Sequence, residues 1–178
     1  MIRLTIVFFL LFGEIHEPPV ITWNELYQLS WKDFKGKPFT NSSAVAVTAS
    51  GISFEYLIKQ SLFGVINYKT KVLACFYPEE SWYKLQLVNG DVLAHEQWHY
   101  NITELYARKF RKALASIKSS KSLKLDLNKL QKAINSQFTK RQNDYDFETN
   151  HSRIPQAQKQ WQLRIEKELL ALEAFKSN

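Results

Sequence analysis

The sequence predicts an α+β fold in which a β-rich N-terminal half is followed by three long helices. Strand-forming residues alternate roughly between positions 44 and 77, which is the period of a half-buried strand. After Pro78 the apolar residues recur every three or four positions, as in an amphipathic helix. The chain has 178 residues, 45% of them apolar and 23% charged, which is typical of one globular domain.

The pattern of the first thirteen residues indicates a segment that is not part of this domain. Arg3 is followed by a mostly apolar run, Leu4–Phe12, and then by Gly13, a pattern that resembles a secretory signal peptide. The run is too short to cross a bilayer, which takes roughly 20 residues. We therefore expect residues 1–13 to be a signal peptide and residues 14–178 a single domain without a transmembrane span. The protein is then exported, to the periplasm or the extracellular space. The alternative is an N-terminal strand or buried helix.

The β-rich half is predicted to contain six short strands, because β-branched and aromatic residues cluster between turn-forming residues. Gly51 is expected to form a bulge, and the last two strands are expected to join near Lys69. The predicted strands cover residues 21–23, 29–31, 44–50, 52–56, 63–68 and 71–77.

Three helices are predicted after the strands. Asp91 suits the N-cap of a first helix over about 92–117, and the polar segment 119–122 ends it. A second helix follows over about 127–149, and Pro155 suits the first turn of a third. The third helix carries an apolar stripe made of Trp161, Ile165, Leu169, Leu172 and Phe175.

Composition excludes several classes of chemistry. The chain has five glycines, all widely separated, so it cannot form the glycine-rich loops of P-loop or Rossmann nucleotide-binding proteins. Cys75 is the only cysteine, which excludes an intrachain disulfide and a zinc site with two or more thiolates. Histidine and carboxylate side chains therefore remain as the groups to search for a site.

Positive charge is concentrated in the helical half. The chain carries a net charge of +7, and residues 107–141 contain eleven lysines or arginines against one acid, Asp126. This segment is either a solvated helical face or a surface that attracts an anionic membrane, cell-wall polymer or substrate. No nucleic-acid-binding motif accompanies the charge, so we expect no nucleic-acid partner.

Residues 95–99 read His-Glu-Gln-Trp-His, an HExxH motif inside the first predicted helix. Positions four apart share one face of a helix, so His95 and His99 can bind the same metal ion. Glu96, next to the first histidine, is placed to accept a proton from a water molecule that the metal activates. The motif thus predicts a Zn²⁺ site with two histidine ligands and Glu96 as the catalytic base.

A hydrolytic zinc site requires a third protein ligand. Glu104 lies nine residues after His95, which at about 100° per residue is the opposite face of the helix. If the second helix packs antiparallel to the first, its end returns to His95 and brings His151 there. We therefore expect His151 to be the third ligand, with Glu148 and Asp144 as the alternatives on the same helical face.

Five segments, 29–38, 44–56, 81–82, 95–108 and 145–161, share a pattern with known sequences. In this order they resemble a bacterial domain-of-unknown-function family that is described as secreted zinc-dependent proteases. Asn101 stands where that family usually has aspartate, and Ser152 where it usually has glycine. The resemblance implies a zincin-like fold, zinc binding and peptidase activity.

Together these features predict a zincin-like α+β metallopeptidase that hydrolyses peptide bonds of a peptide or protein substrate. Arg108 and Tyr145 are candidates for stabilising the oxyanion, and strand 71–77 is a candidate for aligning an extended substrate. The alternative is a non-catalytic envelope protein whose zinc is structural and whose basic helices bind an anionic polymer. The two differ at the metal, because a structural site is closed by a fourth protein ligand whereas a catalytic site stays open.

Overall fold

The computed structural model describes residues 19–62 and 64–177, so the predicted signal peptide lies outside the described residues. Within those ranges a β-rich half precedes three long helices, and the predicted α+β class is confirmed. The strands are β1 (Ile21–Thr22), β2 (Ala46–Val47), β3 (Ser50–Ser61), β4 (Gly64–Phe76) and β5 (Trp82–Tyr83). The helices are α1 (Gly90–Leu114), α2 (Leu123–Thr149) and α3 (Pro155–Ala171).

The main sheet is built on one long antiparallel hairpin, β3–β4, with the strand order β1-β4-β3. The prediction of two strands at 63–68 and 71–77 is wrong, because β4 continues through Lys69, where neither glycine nor proline interrupts the alternation. The predicted bulge at Gly51 is also displaced, since the register shift falls between Lys59 and Gln60. The hairpin is therefore longer than its local turn signals indicate.

The segment 29–31, predicted as a strand, turns instead into a 3-10 helix at Trp31–Asp33. A capping box explains the difference. The backbone N–H and the hydroxyl of Ser30 both donate to Asp33 Oδ2, at 2.7 and 3.0 Å. These local bonds satisfy groups that a strand would need to pair elsewhere.

A small second sheet pairs β2 with β5 in antiparallel orientation. It covers only residues 46–47 of the predicted strand 44–50. The preceding chain is fixed by Gly36, whose N–H donates to Ser81 O at 2.8 Å. A Cβ at Gly36 would lie 2.7 Å from Glu79 O, so this close approach requires glycine.

The helices differ from the prediction mainly at their ends. α1 begins two residues earlier than expected because Asn89, and not Asp91, is its N-cap, with Asn89 Oδ1 accepting from Val92 N at 3.0 Å. α2 begins at Leu123 and ends at Thr149, where Asn150 forms a left-handed C-cap. α3 begins at Pro155 as predicted.

α1 lies at the centre of the molecule, between the main sheet and the other two helices. Ile102, Leu105 and Phe110 of this helix are completely buried in the largest apolar cluster. Trp161 and Ile165 of the predicted α3 stripe pack into the same cluster. α2 runs back along α1, so the C-terminal end of α2 reaches the first turns of α1. None of the helices in the described part of the chain is long and apolar enough to span a membrane.

Candidate metal centre

The HExxH histidines lie on one face of α1, as the spacing predicts. His95 is 3% exposed, and its Nε2 is 3.1 Å from Nε2 of His99. The ring of the fully buried Tyr145 stacks on His95 with a centroid distance of 4.5 Å, and it contacts His99 edge-on at 5.0 Å. This packing holds both imidazoles in one orientation.

α2 contributes a carboxylate to the same point. Asp146 Oδ1 is 3.1 Å from His95 Nε2 and 3.0 Å from His99 Nε2. The three side chains form a group whose ligand atoms all lie within 4.8 Å of one another. Asp146 lies near the C-terminal end of α2, which antiparallel packing was expected to bring close to His95.

A hydrogen bond to Gln158 determines which ring nitrogen of His95 carries the proton. Gln158 Nε2 donates to Asp91 O at 3.2 Å, so its Oε1 must face the histidine. This oxygen is 3.2 Å from His95 Nδ1, so it accepts a hydrogen bond from a proton carried on Nδ1. Neutral His95 therefore presents the lone pair of Nε2 to the cluster.

His99 is oriented in the same way by a different glutamine. Gln142 Nε2 donates to His99 O at 3.0 Å, and Gln142 Oε1 accepts from His99 Nδ1 at 2.7 Å. Metal-binding histidines commonly donate their second ring N–H to such a partner. As a result two imidazole lone pairs and one carboxylate oxygen converge, an arrangement that a bound cation or a proton stabilises.

The donor set fits zinc. Tetrahedral Zn²⁺ with bonds of about 2.05 Å places its ligands about 3.3 Å apart. The three separations in this cluster are 3.0–3.1 Å. Two imidazoles and one carboxylate are also a common protein ligand set for hydrolytic zinc.

The ionisable groups of the cluster are strongly coupled. Burial alone would raise the pKa of Asp146, but hydrogen bonds from His95 and His99, which Nε2 donates when the imidazole carries a second proton, hold it well below its usual range. Burial lowers the pKa of His95 despite its bond to Asp146. Burial also acts to lower the pKa of His99, yet the bond to Asp146 and the charge of Glu96 raise it overall. The centre therefore favours a positive charge near Asp146.

Glu96 lies beside this cluster and is 4% exposed. Its Oε2 atom is buried and has no hydrogen-bond partner among the described residues. Burying a carboxylate oxygen without a hydrogen bond costs free energy of folding. The position of Glu96 therefore indicates a role other than stabilising the fold. The position is the one that the motif predicts for a base.

His151, the predicted third ligand, lies at the edge of the same cluster. Its Nδ1 is 3.2 Å from Asp146 Oδ1, and its side chain is 63% exposed. The backbone there is strained, because Asn150, His151 and Ser152 all have positive φ, at 47°, 52° and 71°. The glycine that the related pattern has at position 152 would suit this conformation.

The other predicted candidates have different partners. Glu148 Oε2 accepts from Trp161 Nε1 at 2.8 Å, and Asp144 pairs with Lys140 at 2.6 Å. Asn101 Oδ1 accepts hydrogen bonds from Trp23 and Gln97, at 3.1 and 3.0 Å.

The two oxyanion candidates are also placed elsewhere. Arg108 is 2% exposed and forms an ion pair at 2.9 Å with Glu104, which is itself completely buried on the opposite face of α1. Neither Arg108 nor Tyr145 is among the described residues that line the cleft next to His95, His99 and Asp146. Tyr145 instead supports the imidazole rings from behind.

A cleft of about 850 Å³ opens beside the cluster and is lined by His95, Glu96, His99 and Asp146. Residues 43–48, around β2, form part of its wall, and residues 150–153 form another part. Thr48 Oγ1 donates to Glu96 O at 3.3 Å, which ties the β2 wall to α1. The cluster of His95, His99 and Asp146 is thus accessible from a surface cleft.

Sequence reasoning missed Asp146, Gln142 and Gln158. Gln142 and Asp146 are four residues apart on α2, so they share the face that meets the two histidines. That spacing was visible in the sequence. Three acids lie within residues 144–148, however, and only the packing of α2 on α1 selects the middle one.

Residues 79–152 match a family described as "Bacterial protein of unknown function (DUF922)". The matched stretch contains the HExxH motif, all of α1 and α2, and His151. It supports a bacterial domain of unknown function, and its description states no activity. Comparison with curated proteins returned no match, and comparison with solved structures returned none either.

Proposed function

We propose that this protein is a zinc-dependent peptidase. The observation that carries the proposal is the buried Glu96, whose Oε2 has no partner in the described chain and which lines an open cleft. Two oriented histidines and a carboxylate lie next to it. A buried base beside a converging ligand set is the arrangement that metal-assisted hydrolysis requires.

His95, His99 and Asp146 would hold the ion. When bound, zinc supplies a Lewis acid that polarises a carbonyl group and lowers the pKa of water. Glu96 then accepts a proton at Oε2 and delivers it to the leaving amine, which is general base and general acid catalysis by one carboxylate. His151 is left at the rim of the cleft, where it can contact the substrate.

The edge of β2 would align an extended substrate. Val45 O accepts from Lys84 N at 2.8 Å, so the backbone groups of Val45 face β5. Alternation in an antiparallel ladder then turns the N–H and C=O of Ala46 to the opposite edge. An extended peptide can add there as a further strand. β4, which contains most of the segment suggested by the sequence, is unsuitable because β3 pairs along one edge. On the other edge β1 pairs with Cys75 and Phe76, and Val72 O accepts from Arg111.

The decisive experiment compares Glu96→Gln with wild type for zinc content and for cleavage of a peptide library. We expect full zinc content and a loss of activity of roughly 10²–10⁴-fold, because glutamine cannot accept the proton. Glu166→Gln, an exposed site on α3, is the matched control and should behave as wild type. If Glu96→Gln cleaves as well as wild type, or if wild type cleaves nothing, the non-catalytic envelope protein becomes the better hypothesis.

A second experiment separates ligands from substrate contacts. Asp146→Ala should release zinc, because it removes one of three protein bonds to the ion. His151→Ala should keep zinc and raise KM. If instead His151→Ala loses zinc and Asp146→Ala keeps it, the original ligand prediction is correct. Two histidines and one carboxylate also suit Fe(II), so iron in the purified protein would contradict the zinc assignment.

We further propose that the protein is exported, on the basis of Arg3 and the run Leu4–Phe12. Residues 1–30 fused to a reporter that is active only outside the cytoplasm should give signal. Leu10→Asp, which interrupts the apolar run, should abolish it. A silent wild-type fusion would mean that the segment has another role.

A further inference from the structure

The end of the molecule remote from the metal centre combines two elements. Tyr68 OH, on β4, donates to Ile117 O at 2.7 Å, and Tyr56 OH, on β3, contacts Asn128 Oδ1 at 3.4 Å. These bonds hold the tip half of the β3–β4 hairpin against the α1–α2 connection. The fifteen residue steps from His99 to Leu114 separate this end from the metal centre by about 22 Å of helix.

This end carries exposed lysines that have no counter-ion. Lys59 and Lys69 lie on the hairpin, and Lys118, Lys121 and Lys124 lie in and after the α1–α2 connection. We call these five residues the basic end. All five are exposed, and none forms a salt bridge within the described residues.

Several other basic residues of the same charged segment are paired with acids. Arg108 and Arg111 pair with the buried Glu104, and Lys109 pairs with Glu168 at 2.8 Å. The one acid of the segment, Asp126, accepts from the Ser122 hydroxyl at 2.7 Å. The segment therefore has acid-paired residues on the helix bodies and unpaired lysines at the basic end. Lys112, Lys129 and Lys132, on the helix bodies, are also exposed and form no salt bridge within the described residues.

Exposed leucines accompany these lysines. Leu62, in the hairpin turn, is 100% exposed, and Leu57 is 70% exposed directly opposite Lys69 in the strand register. Leu125 is 54% exposed beside Lys124. The inward face of the hairpin, which includes Tyr56, packs on the core, so these leucines stand on surfaces that the fold leaves uncovered.

We propose that the basic end docks on an anionic lipid membrane. Lysines adjacent to a surface are attracted to acidic lipid headgroups, and leucines among them can enter the boundary between headgroups and acyl chains. A soluble polyanion would use the lysines but would gain little from the leucines. Docking by this end would leave the cleft at the other end of α1 open to substrate. The proposal does not depend on the metal centre or on peptidase activity.

The test measures binding of the full chain to phosphatidylglycerol-containing vesicles and to pure phosphatidylcholine vesicles, at low and high salt. Both vesicle types are needed because the run Leu4–Phe12 would attach the chain to either bilayer. We expect a preference for phosphatidylglycerol that high salt removes. Replacing Lys118, Lys121 and Lys124 by glutamine should weaken that preference on the order of 100-fold, at roughly fivefold per lysine.

The matched control replaces Lys37, Lys159 and Lys167, which are exposed and lie outside the basic end. It removes the same charge and should leave the preference nearly unchanged. An equal loss in this control would overturn the proposal, because net charge alone would then explain binding. So would wild-type protein that shows no preference for phosphatidylglycerol.

A second pair of variants tests the lipid. Leu57→Ser with Leu62→Ser should reduce phosphatidylglycerol binding, whereas Leu163→Ser with Leu170→Ser on α3 should not. Binding to soluble polyphosphate provides the comparison. If polyphosphate binds as tightly as the vesicles and the hairpin leucines do not matter, the basic end is a polyanion site and the membrane proposal is wrong.

Discussion

Two buried glutamates on α1 are in opposite states. Glu104 is completely buried and accepts from Arg108 Nε at 2.9 Å and from Arg111 Nη1 at 3.0 Å. Glu96, two turns earlier and 4% exposed, has one carboxylate oxygen with no partner among the described residues. On the same helix, Glu104 is thus fully paired and Glu96 is left without a partner on one carboxylate oxygen.

The difference separates a structural role from a chemical one. The Glu104 cluster joins α1 to the sheet and to the C-terminal segment, since Arg111 donates to Val72 O and to Phe175 O, at 3.1 and 2.8 Å. Near Glu96, by contrast, the side chains of His95, His99 and Asp146 converge on one point beside a cleft. Buried polar atoms are normally hydrogen-bonded, and exceptions are common at functional sites.

The largest expected effect is on stability, when each glutamate is changed to glutamine in metal-free protein. Glu104→Gln should lower the free energy of unfolding by about 3–5 kcal/mol, because it leaves buried arginine charge uncompensated. Glu96→Gln should change it by less than about 1 kcal/mol or raise it, because an unpaired buried charge is removed. Urea unfolding with a chelator present measures both. Equal losses would mean that Glu96 is also a structural group.

The next effect concerns the glutamines that orient the imidazoles. Gln142→Ala should weaken zinc binding by roughly 10–100-fold, because His99 loses the partner that fixes its tautomer. Gln137→Ala, an exposed position on the same helix, is the control and should bind zinc as wild type does. Competition with a chromophoric chelator gives the affinities. Unchanged affinity in Gln142→Ala would show that the ring is oriented by packing on Tyr145 alone.

The pH dependence of the metal-free protein tests the positive charge at the centre. The folded-state pKa of His99 is raised, so the folded protein binds the proton more tightly than the unfolded chain. The resulting stability is complete below the unfolded pKa of about 6.5 and is lost as pH rises through the folded pKa, by at most about 1.4 kcal/mol per pH unit. The stability advantage of wild type over His99→Gln should therefore shrink above that pH. An advantage that grows with pH would contradict it.

The smallest effect concerns the strained loop at the cleft. Ser152→Gly should raise the free energy of unfolding by about 1 kcal/mol, because glycine adopts the φ of 71° without the cost that a side chain imposes. Ser136→Gly, on the exposed face of α2, should lower it by about 0.5 kcal/mol. Thermal unfolding of the three proteins is sufficient. A destabilised Ser152→Gly would mean that the serine side chain makes a contact that offsets the strain.

Much of the fold could be predicted because its signals are local. Pro155 at the start of α3 and the buried Trp161 and Ile165 follow from propensity and period. The predicted bounds of the strands were less accurate, because strand length depends on pairing between residues that are distant in the sequence. Ser30 and Asp33 then formed a local capping box where a strand was expected.

The sequence by itself determined that His95 and His99 share a face and that Glu96 adjoins them, because a helix fixes the positions of residues one turn apart. It also indicated that the end of α2 would meet this face. Only the tertiary structure selected Asp146 from the nearby acids and placed Gln142 and Gln158 behind the imidazoles. Those contacts join residues 43 to 63 positions apart, and their geometry depends on how α2 and α3 pack on α1.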